Sequence, residues 1–570
     1  MITAYRPVLD AVGGSLFLTA LVAMLPLLTL FIVLGVMKLP AWKAALASLS
    51  VSLVVAIVAY GMPVGQALLA GSQGAAFGIF PILWIVINAI WVYNMTVVTG
   101  HFDVLRRSFA KVSDDQRIQA IIIAFCFGGL LEALAGFGTP VAITTVMLMA
   151  LGFKPVKAAV VALVANTAPV AFGALAVPLI TLSTNSGIPE QTLSTIVGRQ
   201  TAILAFFVPM ALVFIIDKWR GVRQTLPATL TAGSVFAVVH YLMSSYVSMP
   251  LTDIVASLVA AASLVLVLRV WQPAEKYTEA PEIIDAAGAG VGSSTRAAAR
   301  NAAGNGGGST ATATKVANLD HHDSGSDVFK AYAPYLIIVA IFCIASLIPA
   351  VKHFLESTTQ KFQWPGLDLQ SAAGAPSKLP TFKLDYLASG GTLLLVSGLV
   401  SIPVLGISPA KAWKAFVGTV VQLKFAILTV MAVLALAYVM NMSGQTVTLG
   451  KWMAGAGAAF AFLSPILGWL GVAVTGSDTS SNALFGALQA GAAKGAGLNP
   501  AIMVAANSSG GVLGKMISPQ NLAIAGAAVG MSGKEGEILR KVFVWSVGFL
   551  LAMMVIVFLM TTPVLGWMVP

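Results

Sequence analysis

The sequence predicts an all-α polytopic membrane protein built from two inverted-topology repeats, with broken helices and re-entrant hairpins. Three observations carry that expectation. Of the 570 residues, 58% are hydrophobic and only 9% charged, against about 25% charged in soluble domains. Many apolar runs reach the roughly 20 residues that a helix needs to cross a bilayer. Two Gly/Ser/Thr-rich stretches, one per half, interrupt the apolar sequence in matching ways, and paired interruptions of this kind point to a transporter's central site.

In chain order the apolar runs lie near 12–36, 41–60, 74–98, 118–135, 136–153, 157–184, 194–216, 225–247 and 251–270. After a polar gap they resume near 332–351, 387–406, 415–440, 452–475, 479–497, 500–530 and 543–567. The run from Val12 to Val36 is too long for a signal-peptide core and reads as a retained span. Lysine and arginine then set the orientation. Lys38 and Lys43, Arg106, Arg107, Lys111 and Arg117, Lys154 and Lys157, and Lys218, Arg220 and Arg223 fall in alternate loops. The intervening loops at 61–65, 185–193 and 248–250 contain no Lys or Arg. Placing the positive loops inside puts both termini outside and Lys534, Arg540 and Lys541 inside. The loop 352–386 falls outside despite Lys352, Lys361, Lys378 and Lys383, and long loops obey the rule weakly.

That parity runs the triple 118–184 from inside to outside and the triple 452–530 from outside to inside, an inverted-repeat plan. The expected organisation is an N-terminal transmembrane repeat over 1–250, a connecting helix over 251–271, a flexible cytoplasmic linker over 272–330 and a C-terminal repeat over 331–570. The linker is rich in Gly, Ala, Ser and Thr and cannot bury a core. Its His321-His322 pair reads as linker, not as a metal site.

Several function classes are excluded. The net charge of +11 sits mostly in loops, so it is no nucleic-acid footprint. Cys126 and Cys343 lie in apolar runs and suggest neither a disulfide nor a metal site. There is no His-Glu-x-x-His metal site and no Walker-type loop, and no second aspartate joins Asp478 in a comparable apolar span. The expectation is a non-enzyme without a cofactor.

Ionisable groups at membrane depth cost about 2.5–3.5 kcal/mol each on insertion scales, so each is a functional candidate. Here they are Glu132, Arg199, His240, Lys424, Asp478 and Lys515. Glu132 precedes the Gly136-Phe137-Gly138 break, where burial favours a neutral carboxyl group and suits a proton carrier. The alternative is a carboxylate paired with an arginine or accepting capping bonds. Asp478, in Thr475-Gly476-Ser477-Asp478-Thr479-Ser480-Ser481-Asn482, reads as a helix cap that also faces the site. Arg199, Lys424 and Lys515 are candidates to neutralise an anion, although Arg199 and Lys515 equally suit snorkelling to an interface. His240 reads as structural. Gly138, Thr139, Asn166, Thr167, Ser480, Asn482, Asn507, Ser508 and Ser509 offer exposed amides, hydroxyls and carboxamides that suit a small polar anion.

These residues lie in strings that resemble the L-lactate permease family. They include Phe125-Cys126-Phe127-Gly128, Gly136-Phe137-Gly138-Thr139-Pro140, Gly152-Phe153-Lys154-Pro155, Asn166-Thr167-Ala168-Pro169 and Val197-Gly198-Arg199-Gln200. The second half adds Thr475–Phe485 and Gly514-Lys515-Met516-Ile517-Ser518-Pro519-Gln520. The resemblance implies proton-coupled uptake of L-lactate, and also of D-lactate and glycolate, across a bacterial inner membrane. It implies an ion-transporter-like fold, in which Asn-hydroxyl motifs contact a carboxylate substrate and, in some relatives, sodium. Those roles are carried here to Asn166, Thr167, Asn507, Ser508 and Ser509, with the proton assigned to Glu132 first and Asp478 second. A sodium-coupled carboxylate carrier, a membrane-embedded enzyme and a channel-like exporter are the rival expectations; a homo-oligomer is left open.

Overall fold

The computed structural model describes residues 5–278 and 323–570, apart from Lys38, Lys111, Ala135, Phe137, 371–375, Lys378 and 532–534. His321-His322 and most of the expected linker lie outside the described residues. Among the described residues, 11 helices are long and apolar enough to cross a membrane. The count is 12 if the bent pair Pro155–Ala165 and Val170–Ser186 forms one span. The remaining predicted runs are shorter or divided. Residues 136–153 hold the 12-residue helix Thr139–Ala150 and residues 387–406 the 16-residue helix Gly390–Leu405. Residues 415–440 fall in two helices, Pro409–Gln422 and Lys424–Ser443. Lys424, expected well inside a span, is therefore exposed at a helix start, over the Phe425 ring.

Each half contains a hairpin followed by a broken helix. The first hairpin enters along Gln116–Leu134, which is buried throughout. It turns at Gly136 and Gly138, whose φ angles of 54° and 82° favour glycine because a Cβ makes that region costly. It returns along Thr139–Ala150. Gln116 donates from Nε2 to the Leu151 carbonyl at 2.8 Å, so the two arms start and end side by side. The first broken helix bends by 63° between Ala165 and Val170. Beyond the bend Ala174, Leu175 and Ala176 have φ of 44°, 56° and 62°, a left-handed turn without glycine that stores about 1–3 kcal/mol per residue.

The second hairpin descends along Phe460–Thr475, turns at Gly476 (φ 74°) and returns along Asp478–Gly495. Ser477 caps the return arm by accepting from the Ser480 amide. The second broken helix consists of Pro500–Gly514, a 3-10 turn Lys515–Ile517 and Pro519–Ala528. Its break is at 515–518, later than the predicted Asn507–Gly511 break, and Asn507–Gly511 is helical. The glycines there serve a different purpose. A Cβ on Gly510 or Gly514 would run into the carbonyl oxygens of Pro465 and Trp469, and one on Gly468 into that of Asn507. Helices Phe460–Thr475 and Pro500–Gly514 pack backbone to backbone, as small residues allow in membranes.

The two halves of the chain interleave. Helices within 16–98 pack on helices within 390–453, and those within 116–270 on those within 460–560. Polar bonds fasten the first group: Tyr60 Oη–Thr448 Oγ1 at 3.0 Å, Trp84 Nε1–Thr392 Oγ1 at 3.0 Å and Asn94 Nδ2–Thr419 Oγ1 at 2.8 Å. The segment expected to be a plain loop, 352–386, holds an antiparallel strand pair, Gln360–Gln363 with Thr381–Leu384. Gln66 holds this region through the Gly366 carbonyl.

Candidate functional site

The hairpin tips and helix breaks bring polar groups from both halves into the interior. Glu132 lies one turn before the first hairpin tip, 2% exposed. Its Oε1 accepts from Lys515 Nζ at 2.5 Å and its Oε2 from Asn166 Nδ2 at 3.0 Å. Gly173 approaches so closely that a Cβ there would lie 2.9 Å from Oε1, which places the left-handed turn directly against the carboxylate. The cation facing Glu132 is a lysine, where the paired alternative named an arginine. Lys515 does not snorkel: it is buried at the break of the second broken helix. A buried pair of this kind roughly offsets its own desolvation, whereas removing one partner costs about 3–5 kcal/mol.

Asp478 is the first residue of the return arm, and Ser477, not Asp478, is the cap. Its Oδ2 accepts from Ser508 Oγ at 2.6 Å and from Asn482 Nδ2 at 3.1 Å. Asn482 also donates to the Pro178 carbonyl at 3.1 Å and accepts from Asn507 Nδ2 at 2.8 Å. Ser509 donates to Gln200 Oε1 at 2.7 Å, another bond between the halves. Ser480 is buried in the first turn of the return arm, its amide held by Ser477. Gly138 and Thr139 form the first hairpin tip, and a Cβ on Gly138 would strike Ile524 and approach Asn521 Oδ1 at 3.4 Å. Thr167 donates to the Val164 carbonyl and lines a cavity of about 10 Å³ together with Thr201, Val512 and Leu513. That is about the size of one water, so the arrangement is closed there to a substrate of several heavy atoms.

One chemical feature unites the cluster. Asn166 Oδ1, Asp478 Oδ1 and Asn521 Oδ1 are all buried without a hydrogen-bond partner. Each is an acceptor, and an unsatisfied buried acceptor costs about 1–3 kcal/mol. The cluster thus presents open acceptors. A ligand that brings an O–H or a proton can donate to them.

Arg199 is not brought to this cluster. It donates to the Met568 carbonyl at 2.7 Å and lies over the Tyr241 ring. His240 is not solitary: it bonds Asp253 and Thr201. Asp253, a fully buried aspartate in the span Met249–Val270, corrects the expectation that no second aspartate lies in such a run. Its partner is His240, not Asp478. Gln200, Gln489 and Asn521 are further buried polar residues missing from the predicted set. A signal for Asp253 was present, since two ionisable residues 13 apart in adjoining apolar runs need partners. Among the described residues no group of three or more His, Cys, Asp or Glu side chains gathers to hold a metal.

A closed polar crossing between two hairpin-and-broken-helix units, inside a multi-pass helical shell, is the architecture of a membrane transporter. The sequence model of the L-lactate permease family matches residues 19–564, and the chain belongs to that family. It is 40% identical over 587 residues to the L-lactate permease of Bacillus subtilis, covering 100% of this chain and 99% of that one. It is 41% identical to the glycolate permease GlcA of Escherichia coli, covering 92% and 93%. Among solved structures it is similar to MtrF of Neisseria gonorrhoeae, described as an antimetabolite efflux pump. That match has a TM-score of 0.45 and 12% identity, over 87% of this chain and 83% of that one. The protein is a multi-pass component of the bacterial cytoplasmic membrane and is a transporter, not an enzyme.

Proposed function

We propose that the protein imports L-lactate, and also D-lactate and glycolate, by proton symport, using the two hairpin-and-broken-helix units as inverted copies around one site. The observation that carries this is the Glu132–Lys515 pair, which joins the two units beside the open oxygen of Asp478. The names of the relatives support the substrate class. So does the chemistry: a 2-hydroxy acid has a carboxylate to accept from Lys515 and a hydroxyl to donate to an open acceptor such as Asp478 Oδ1 or Asn166 Oδ1.

Coupling follows from competition for one cation. An ammonium has three N–H donors, and one of Lys515's reaches Glu132. A substrate carboxylate that takes over Lys515 leaves Glu132 without its counter-ion, away from water. A proton on Glu132, or on Asp478, then restores neutrality, because an unpaired buried carboxylate is far more costly than a protonated one. The loaded site carries anion and proton together. Neither arriving alone leaves it balanced, which is the physical basis of symport.

Uptake into liposomes under an imposed pH gradient, with and without sodium, tests the reading. Accumulation driven by the gradient, abolished by a protonophore and indifferent to sodium, is expected. Uptake that needs sodium and ignores the pH gradient would overturn it. Competition among L-lactate, D-lactate, glycolate, pyruvate and succinate reads the substrate class: the three 2-hydroxy acids should compete best and succinate least.

A further inference from the structure

A second buried acid–base pair lies beside the site and is not used in that scheme. His240, on Leu226–Leu242, and Asp253, on Thr252–Val270, have no exposed surface. His240 Nδ1 is 2.7 Å from Asp253 Oδ1 and His240 Nε2 is 2.9 Å from Thr201 Oγ1. The rings of Phe172 and Phe236 enclose the imidazole at 4.9 Å and 5.6 Å between centroids.

The hydrogen bonds fix how many protons the pair holds. Thr201 Oγ1 gives its hydrogen to the Val197 carbonyl at 2.8 Å, so it accepts from His240, and Nε2 carries a hydrogen. With Nε2 protonated, the Nδ1–Oδ1 contact needs a hydrogen of its own, because otherwise two lone pairs face each other in a dry site. The pair therefore holds one shared proton and no net charge. Two N–H bonds on the ring beside a carboxylate, or one beside a carboxylic acid, describe the same neutral unit.

The pair is also connected to the site. Thr201 walls the same cavity of about 10 Å³ as Thr167, and Thr167 follows Asn166, which holds Glu132. The arm that bears Glu132 packs on both helices of the pair, through Phe125 on Phe236 at 4.8 Å and Gly129 against Ser257. Glu132 is within electrostatic reach of Asp253. Arg199, half a turn from Thr201, is turned away to Met568 and Tyr241. A bare helix clamp would satisfy both carboxylate oxygens, yet Asp253 Oδ2 is buried without a partner, and a neutral side chain would clamp without the cost of burying a titratable one.

We propose that His240 and Asp253 form a second proton-binding station of this carrier, exchanging a proton with Glu132 through Thr201 and the cavity it shares with Thr167. The step balances without another reactant. The Nε2 hydrogen passes to the Thr201 oxygen as the hydroxyl hydrogen moves on toward Glu132. The imidazole keeps its Nδ1–H to Asp253, the pair gains one negative charge, and Glu132 loses one. Thr201 is the relay between the pair and the cavity.

The proposal rests on the proton-symport reading, and the experiment separates the two. Full-length wild type, His240→Gln, Asp253→Asn and Thr201→Val are reconstituted in liposomes. Lactate exchange without a gradient and uptake driven by a pH gradient are then measured across pH. His240→Gln and Asp253→Asn are expected to keep exchange within about twofold and to lose at least about tenfold of gradient-driven uptake, with a flattened pH profile. Thr201→Val, which removes the relay hydroxyl, is expected to lose gradient-driven uptake to a similar extent. Variants that keep wild-type gradient-driven uptake and its pH profile overturn the second station while leaving symport standing. A wild type without gradient-driven uptake overturns both. If the variants lose exchange as well, the wild type decides by nitrogen-15 NMR of its 5 histidines. The His240 ring should change protonation on lactate saturation, and a ring unchanged throughout overturns the proposal.

Discussion

Glu132 and Lys515 are 383 residues apart, and their partnership shows how far single residues speak from sequence. Each was conspicuous alone as an ionisable group in apolar sequence. Neither indicated the other, because the register that joins them is set by two helix breaks. Arg199 was as conspicuous, yet it serves the Met568 carbonyl, and Asp253 escaped notice because it sits in the first turn of its span, where an acid reads as a helix-end residue. The pair makes a paired prediction. Glu132→Gln should abolish uphill uptake while lactate exchange is at least partly retained; full uphill uptake would make Glu132 structural. Glu132→Gln and Lys515→Gln should each lower stability by up to about 3–5 kcal/mol. The double variant should recover part of that loss, since it leaves no lone buried charge, and thermal denaturation in detergent reads all three. Asp478→Asn keeps an oxygen for Ser508 and Asn482 and should preserve exchange more fully than Asp478→Ala.

At the scale of elements, apolar run lengths and loop charges located most of the helices, and the Gly136–Gly138 and Gly476 turns were legible because positive φ selects glycine. The stretch Asn507–Gly511 was misread for the same reason. Glycine also appears where two backbones touch, and sequence alone does not distinguish a turn from a contact. Gly510 and Gly514, four apart, belong to the contact with Pro465 and Trp469. Gly510→Val should therefore destabilise the protein by at least about 1–3 kcal/mol, as overpacking does. Gly548→Ala, in a helix where a Cβ meets nothing within 4 Å, should be neutral or stabilising by about 0.5–1 kcal/mol. Comparing their melting temperatures tests whether the seam, and not helix propensity, sets the cost. The strand pair at 360–384 went unforeseen because its short segments are held by Gln66 and the N-terminal region, far away in sequence.

For the whole molecule, the hydropathy profile gave the class but named 16 apolar runs where 11 or 12 described helices can cross a membrane, because short and broken helices read as full runs, and it suggested two successive halves. The packing does not follow that division, since helices before residue 98 are completed by helices after residue 390. Cutting the chain between residues 279 and 322 should leave two fragments that co-purify in detergent, and separation of the fragments would mean that the interleaved contacts are too weak to hold. The same interleaving sets a schedule for biosynthesis. Tyr60 finds Thr448 only 388 residues later, which at about 5–20 residues per second is about 20–80 s of synthesis. Through that interval Tyr60, Trp84 and Asn94 sit in the bilayer with polar atoms facing lipid or temporary companions, at a cost water cannot relieve. The young chain is most exposed to degradation and wrong pairing then, and overproduction of this protein should be limited by how well the cell shields those first helices until their late partners arrive.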